Sequence, residues 1–184
     1  MANYKLKYTG TELDNILDSI DEIWLIARRK KALLEIAEHM EHTSRVLDMD
    51  VTNPLDINRL KKLLSYEKPT IRMLVNCAGY GIMGEFTKMN VEDELGMIDV
   101  NCKALTQITH ICIPYMRKNS RIIQLASSAA FLPQPNFAVY AATKSYVYSF
   151  SKSLGAELSG KGITVTVVCP GPVNTEFFKR SGEV

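Results

Sequence analysis

Ile71-Arg-Met-Leu-Val75 runs directly into Asn76-Cys77-Ala78-Gly79-Tyr80-Gly81, and the reading of this stretch decides the fold. A short run rich in branched and apolar residues, stopped by a turn of small residues and glycine, reads as a buried strand. The same grammar repeats on both sides. Upstream, Ile23-Trp24-Leu25-Ile26-Ala27 and Arg45 to Met49 read as strands. Leu33, Leu34, Ala37 and Met40 mark one face of a helix between them. Asn53-Pro54 opens a further helix as N-cap and first turn, with Leu55, Leu60, Leu63 and Leu64 as its apolar positions. Downstream come a long helix from about Val91 to Met116, a strand from Arg121 to Ala126, and a loop holding Pro133 and Pro135. A helix from about Phe137 to Leu158 and the strand Ile163 to Cys169, ended by Pro170-Gly171-Pro172, complete the pattern. Strands alternating with helices predict an α/β fold, a doubly wound and mostly parallel sheet with helices on both faces, in one domain over 1–184. Such sheets hold ligands at the carboxyl ends of their strands, which directs attention to the loops after Ala27, Met49, Val75, Ala126 and Cys169.

Composition narrows the function. Of 184 residues 46% are hydrophobic and 23% charged, which is ordinary for a globular chain and excludes intrinsic disorder. A net charge of +2, with both signs interspersed, argues against a nucleic-acid partner. No apolar run approaches the ~18 residues of a membrane span. The polar start MANYKLKYTG is no signal peptide. Cys77, Cys102, Cys112 and Cys169 form no C-x-x-C pair and sit in apolar stretches, so they read as buried thiols of a cytoplasmic protein. His39, His42 and His110 offer no metal-ligand spacing, and no metal site is expected.

Tyr140 and Lys144, in Tyr-Ala-Ala-Thr-Lys, stand at i and i+4 on one helix face, so an ammonium lies close to a phenol. A free tyrosine titrates near ~10, and a neighbouring cation lowers that value, giving an acid able to protonate a developing alkoxide. An ordinary amphipathic helix yields the same spacing by chance. Ser127 and Ser128 follow directly on a strand, where a hydroxyl points into the ligand crevice, although a Ser-Ser pair there also serves turns.

Taken together, Ser127, Tyr140 to Lys144, the turn Asn76-Cys-Ala-Gly79, Asn101 in DVNCKAL and Pro170-Gly171-Pro-Val-Asn-Thr175 resemble the short-chain dehydrogenases/reductases. The motifs stand in the family's order from about Ile23 to Phe177. The resemblance implies a Rossmann-like sheet, a nicotinamide cofactor, and hydride transfer to or from a carbonyl carbon of a small-molecule carbonyl or alcohol substrate. It also implies the roles. Tyr140 matches the general acid/base and Lys144 the neighbour that lowers its pKa and holds the nicotinamide ribose. Ser127 matches the serine on the substrate oxygen, with Ser128 the less favoured by spacing. Asn101 matches the asparagine that bends its helix and holds a proton-relay water; an amide capping a local helix irregularity fits the same residue. Asn76, Ala78 and Gly79 match the turn beside the adenosine, and Asp50 with Val51 the adenine contact, although Asp50 also suits a helix cap. Pro170, Gly171, Val173 and Thr175 match the segment around the nicotinamide.

The end of the first apolar strand bears on the cofactor. An acid there holds a ribose 2′-hydroxyl, whereas arginine accommodates a 2′-phosphate. Here Arg28-Arg29 follows Ala27, which predicts NADP(H) over NAD(H) with Arg28 the principal contact. Two arginines at a helix start also make an ordinary solvated face.

Some family elements are altered. The phosphate turn T-G-x-x-x-G-x-G is reduced to Thr9-Gly10, with no further glycine until Gly79. Tyr4-Lys5-Leu6-Lys7-Tyr8 alternates polar and apolar where a central strand should be apolar, and a short helix capped by Thr11 follows with Leu13, Ile16, Leu17 and Ile20. The chain stops at Val184, soon after Thr175. Two functions are therefore expected in competition: a working NADP(H)-dependent reductase or dehydrogenase, or a shortened, weak or inactive relative with a binding or structural role. A flavodoxin-like binding module ranks last, since it has no need of Ser127, Tyr140 and Lys144. The helices 91–116 and 137–158 suggest pairing into a homodimer or homotetramer, as in relatives. Leu132, Pro133 and Phe137 suggest an apolar wall near Tyr140.

Overall fold

A computed structural model describes residues 20–171 of the chain. The expected strand at Tyr4–Tyr8 and the Thr11-capped helix lie outside the described residues. Parallel strands linked by helices give the expected α/β class, and among the described residues the strands pair as a two-stranded and a three-stranded parallel sheet. These residues group into two compact units, one up to Asp48 and one from Met49.

In the first unit β1 (Ile23–Ala27) pairs in parallel with β2 (Ser44–Asp48), and α1 (Lys30–Glu38) supplies the crossover that parallel strands require. Leu33 is the buried residue of α1, which ends at Glu38, two residues short of Met40. The Glu22 carboxylate accepts from Arg45 Nε at 3.0 Å and from Trp24 Nε1 at 2.5 Å, and the Arg45 guanidinium lies 5.1 Å from the centre of the Trp24 ring.

The second unit opens with α2 (Pro54–Glu67). Its cap forms as the sequence predicts, the Asn53 side chain accepting from the Leu55 N–H at 2.8 Å with Pro54 in the first turn. Ile57, Leu60 and Leu64 are buried, whereas Leu55 is 77% exposed because it stands off that i, i+3, i+7 row. The sheet order is β3 (Ile71–Asn76), β4 (Met116–Leu125), β5 (Thr164–Val168), all parallel. Leu74, Ile122 and Val165 stand in one register row and Asn76, Gln124 and Val167 two rows on. β4 starts earlier than Arg121 because a register shift lets Met116 pair with Ile71. Ser120 pins that irregularity, its hydroxyl donating to the Ile71 carbonyl at 2.7 Å and accepting the Arg117 N–H at 3.0 Å.

The helix expected over 91–116 is divided. α3 (Val91–Ile98) passes into a π-helical segment (Asp99–Ala104), then α4 (Leu105–Cys112), and a 3₁₀ turn at Pro114 ends the run. α5 (Ala138–Ser159) packs on β5, and its Leu154, Leu158 and Phe150 close over Leu74, Ile122 and Val165. On the alternate positions Val75 is 50% and Val168 40% exposed. Beneath the helices, Asn76 Nδ2 donates to Thr109 Oγ1 at 2.9 Å and to Gln124 Oε1 at 3.0 Å, and Gln124 Nε2 donates to Thr109 Oγ1 at 3.0 Å. Three buried side chains thus satisfy one another across β3, β4 and α4.

One cysteine departs from expectation. Cys112 is buried and Cys102 and Cys169 partly so, but Cys77 is exposed, since it falls on the turn beyond the last residue of β3. No helix among the described residues is long and apolar enough to cross a membrane.

Ile122 is fully buried at the centre of this sheet. Ile122→Ala should lower unfolding free energy by about 3 kcal/mol, read from urea denaturation, and a loss below about 1 kcal/mol would mean that the sheet repacks around the gap.

Candidate active site

The carboxyl ends of β3, β4 and β5 lie side by side, and the expected residues collect there. Ser127 follows β4 with one residue between and takes an extended backbone, its hydroxyl accepting from the Ala129 N–H at 3.2 Å. The Ala126 N–H donates to the Val168 carbonyl at 2.8 Å, and the Ser128 N–H to the Pro170 carbonyl at 2.9 Å. These two bonds lay the Pro170-Gly171 segment beside Ser127 and Ser128. Of the two serines, Ser128 is exposed, and Ser127 is the one that acts on the Tyr140 phenol.

Tyr140 and Lys144 project from one face of α5 and are each 6% exposed. The Lys144 ammonium stands 5.6 Å from the centre of the Tyr140 ring and donates to the Leu125 carbonyl at 2.9 Å. Burial lowers the Lys144 ammonium to about 8, against the opposing pull of Cys102, Cys169 and Cys77. The expected lowering of Tyr140 is not what the structure gives. Burial, the larger effect, pushes the phenol above its ordinary range, and the hydrogen bond from Ser127 works the other way. The reason is geometric: Lys144 faces the ring and spends a donor on a backbone carbonyl, so the pair's desolvation outweighs its attraction.

Phe137 stacks on Tyr140, ring centres 4.2 Å apart and 17° from parallel, which places the expected apolar wall at that residue. Leu132 and Pro133 instead line a cavity of about 510 Å³ with Ala138, Ala142 and Ser145. Gly81 closes the other side: a Cβ there would stand 2.6 Å from Tyr140 Cδ2 and 2.7 Å from Phe137 Cζ.

Asn101 lies in the π segment and is 1% exposed. Its Oδ1 accepts the Tyr80 N–H at 3.0 Å, and Nδ2 donates to the Tyr80 carbonyl at 2.9 Å and to Thr143 Oγ1 at 3.0 Å. Both amide protons are therefore used, and a relay water has only acceptor positions on this residue to bond.

The other residues expected at the cofactor take simple places. Asp50 accepts from the Thr52 N–H at 2.8 Å and hydroxyl at 2.7 Å, as a turn cap does, with Val51 between them. Asn76 turns its side chain into the buried trio, so only its backbone, with exposed Ala78 and Gly79, faces the crevice. Arg28 and Arg29 are exposed after β1, Arg29 at the N-cap position of α1. Val173 and Thr175 lie outside the described residues.

This arrangement has close counterparts. The sequence profile of short chain dehydrogenases matches residues 17–183. The chain belongs to the short-chain dehydrogenase family. An oxidoreductase of Staphylococcus epidermidis is 36% identical over 155 residues, 83% of this chain and 67% of the relative. The NADP-dependent 3-hydroxy acid dehydrogenase of Shigella flexneri is 36% identical over 154 residues, 82% of this chain and 62% of its own length. A serine dehydrogenase solved with NADP+ is 31% identical, with a TM-score of 0.80 over 91% of this chain and 69% of its own. A short-chain dehydrogenase of Sphingobium yanoikuyae solved with NADPH is 29% identical, with a TM-score of 0.77, covering 88% and 65%. The chain thus spans about two thirds of the length of these relatives. It is a dehydrogenase/reductase by family, with the Rossmann-like fold of its solved neighbours.

The crevice of this short-chain dehydrogenase between Gly79 and Lys144 fits the family cofactor. Gly79 leaves a cradle in which a Cβ would crowd Asn101 Oδ1 at 2.9 Å and Lys144 Nζ at 3.4 Å, and Lys144 retains donors beyond the one given to Leu125. Two residues escaped the sequence reading: Thr143, though spelled out between Tyr140 and Lys144, and Gly81, which only its contact with the Tyr140 ring identifies.

The Lys144 shift has a measurable sign. Below about 8 the folded and unfolded chains both hold the proton and the full desolvation penalty applies. Between about 8 and 10.5 only the unfolded chain holds it, so the penalty fades as pH rises. The stability of the parent relative to Lys144→Met should therefore improve by up to roughly 3 kcal/mol from neutral pH to beyond this window. Chemical denaturation across that range reads it; a pH-independent difference would contradict a desolvated ammonium.

Proposed function

We propose that the chain transfers a hydride between NADP(H) and a small-molecule carbonyl or alcohol, with Tyr140 as the general acid/base. The observation that carries this reading is the gathering of Ser127, Tyr140 and a buried Lys144 at the carboxyl ends of a parallel sheet, with the Lys144 ammonium 5.6 Å from the centre of the Tyr140 ring. In reduction, a carbonyl oxygen between the two hydroxyls is oriented by Ser127 and receives its proton from Tyr140. Burial keeps that phenol protonated at neutral pH, which loads it as an acid. The Lys144 ammonium over the ring offsets the charge left on Tyr140 once the proton has gone, in a site that Phe137 and Gly81 shield from water. When bound, NADPH supplies the hydride. Lys144 also has donors for the nicotinamide ribose, Pro170 and Gly171 flank it with Val173 and Thr175 following, and Asn101 holds the relay side.

NADP(H) is favoured over NAD(H) by Arg28 and Arg29 after β1, as guanidiniums suit a 2′-phosphate. The NADP named with two of the relatives agrees. Asp50, Val51, Asn76, Ala78 and Gly79 take the adenosine side. A reducing cytoplasmic location suits the free thiols. Val91, Leu95 and Ile98, an exposed apolar row on α3, support pairing into a homodimer or homotetramer.

Fluorescence titration should show NADPH bound at least about 10-fold tighter than NADH, a gap of some 1.4 kcal/mol that Arg28→Ala narrows. Equal affinities would remove the cofactor preference. No binding of either at millimolar concentration would move the reading to the inactive relative with a binding or structural role. Tyr140→Phe should retain cofactor binding and lose about 100-fold or more in turnover, and an active variant would refute the acid/base. Light scattering should find an oligomer that Leu95→Lys dissociates; a monomeric parent would overturn the pairing.

A further inference from the structure

Thr143 lies between Tyr140 and Lys144, and the chemistry above makes no use of it. It is 3% exposed, yet its hydroxyl makes bonds in two directions. It donates to the Tyr140 carbonyl at 2.7 Å and accepts from Asn101 Nδ2 at 3.0 Å. A hydroxyl that back-bonds its own helix is common and asks for no second partner. The second partner here comes from the π segment, and it is itself fully committed. The Asn101 amide meets both the N–H and the carbonyl of Tyr80, at 3.0 and 2.9 Å. Tyr80 stands between Gly79, at the cofactor cradle, and Gly81, which closes on the Tyr140 ring. One hydrogen-bonded line therefore runs from the loop after β3, through Asn101 and Thr143, to the backbone of Tyr140.

We propose that Thr143 is a positioning residue, whose hydroxyl fixes the Tyr140 turn of α5 against the Asn101 amide and so sets the spacing between the phenol and the 79–81 loop. The functional meaning of that spacing rests on the acid/base role given to Tyr140 above. Thr143→Val keeps the shape but removes the acceptor, leaving one Asn101 amide proton buried and unpaired, which frees the amide to turn. Thr143→Ser keeps both bonds.

The test compares the parent with these two variants, each first shown to unfold cooperatively. In Thr143→Val the Tyr80 amide should exchange about 10-fold or more faster, as loss of a bond worth ~1.4 kcal/mol allows. The ring 13Cζ resonance of Tyr140, identified by its absence in Tyr140→Phe, should move. Thr143→Ser should match the parent in both. With NADPH and ethyl acetoacetate as the probe ketone, kcat of the valine variant should fall while KM for NADPH stays within about 2-fold, the mark of a lost geometry rather than lost binding. A valine variant with parental Tyr80 exchange and an unmoved Tyr140 resonance would overturn the proposal. So would a serine variant as impaired as valine. The two spectroscopic readouts need no turnover, so an inactive parent would count against the acid/base reading and leave this one to be judged on its own.

Discussion

The bond from the Lys144 ammonium to the Leu125 carbonyl, at 2.9 Å, ties a long helix to the end of a central strand, and the rest of the crevice is arranged around it. An ammonium taken almost wholly out of water must find partners, and the last carbonyl of β4 provides one. Once that bond is made, α5 has a fixed depth and rotation over β4 and β5. Tyr140, one turn earlier, then falls beside Ser127, and Phe137, at the helix start, falls onto Tyr140. The same burial drives the two titrations apart, lysine down and tyrosine up.

Much of this was legible in the sequence because it depends on spacing. Tyr140 and Lys144 share a face at i and i+4, Asn53-Pro54 caps as such pairs do, and each strand of the parallel sheets was marked by its branched, apolar run. What sequence spacing does not contain is direction. Asn76 was assigned by its place in a turn, yet as the last residue of β3 it shares a register row with Gln124, and its amide goes to the helix side. The sign of the Tyr140 shift was hidden for a related reason: proximity of a cation can be counted along a helix, whereas desolvation also depends on Gly81, Met97 and Ala129, which arrive from elsewhere in the chain.

The choice of pairing partner was equally beyond local pattern. β1, β3 and β5 look alike, and nothing in a short apolar run says which neighbour will bond its edge. The polar trio of Asn76, Thr109 and Gln124 shows the opposite case, in which side chains specify the neighbour. Each satisfies the other two, so β3 and β4 can pair under α4 in one register only; a slip of one residue would bury amides among hydrocarbons.

The π-helical turn at Asp99–Ala104 acts on that trio from a distance. A π turn holds one residue more than an α turn, so everything after it is rotated by about 100° from where an unbroken α-helix would carry it. Leu105, Ile108, Thr109 and Cys112 form the buried face of α4 only because of that extra residue. The phase of α4 is thus set by an insertion before it began. Removing one residue from 99–104 would leave a more regular helix and swing Thr109 away from the sheet.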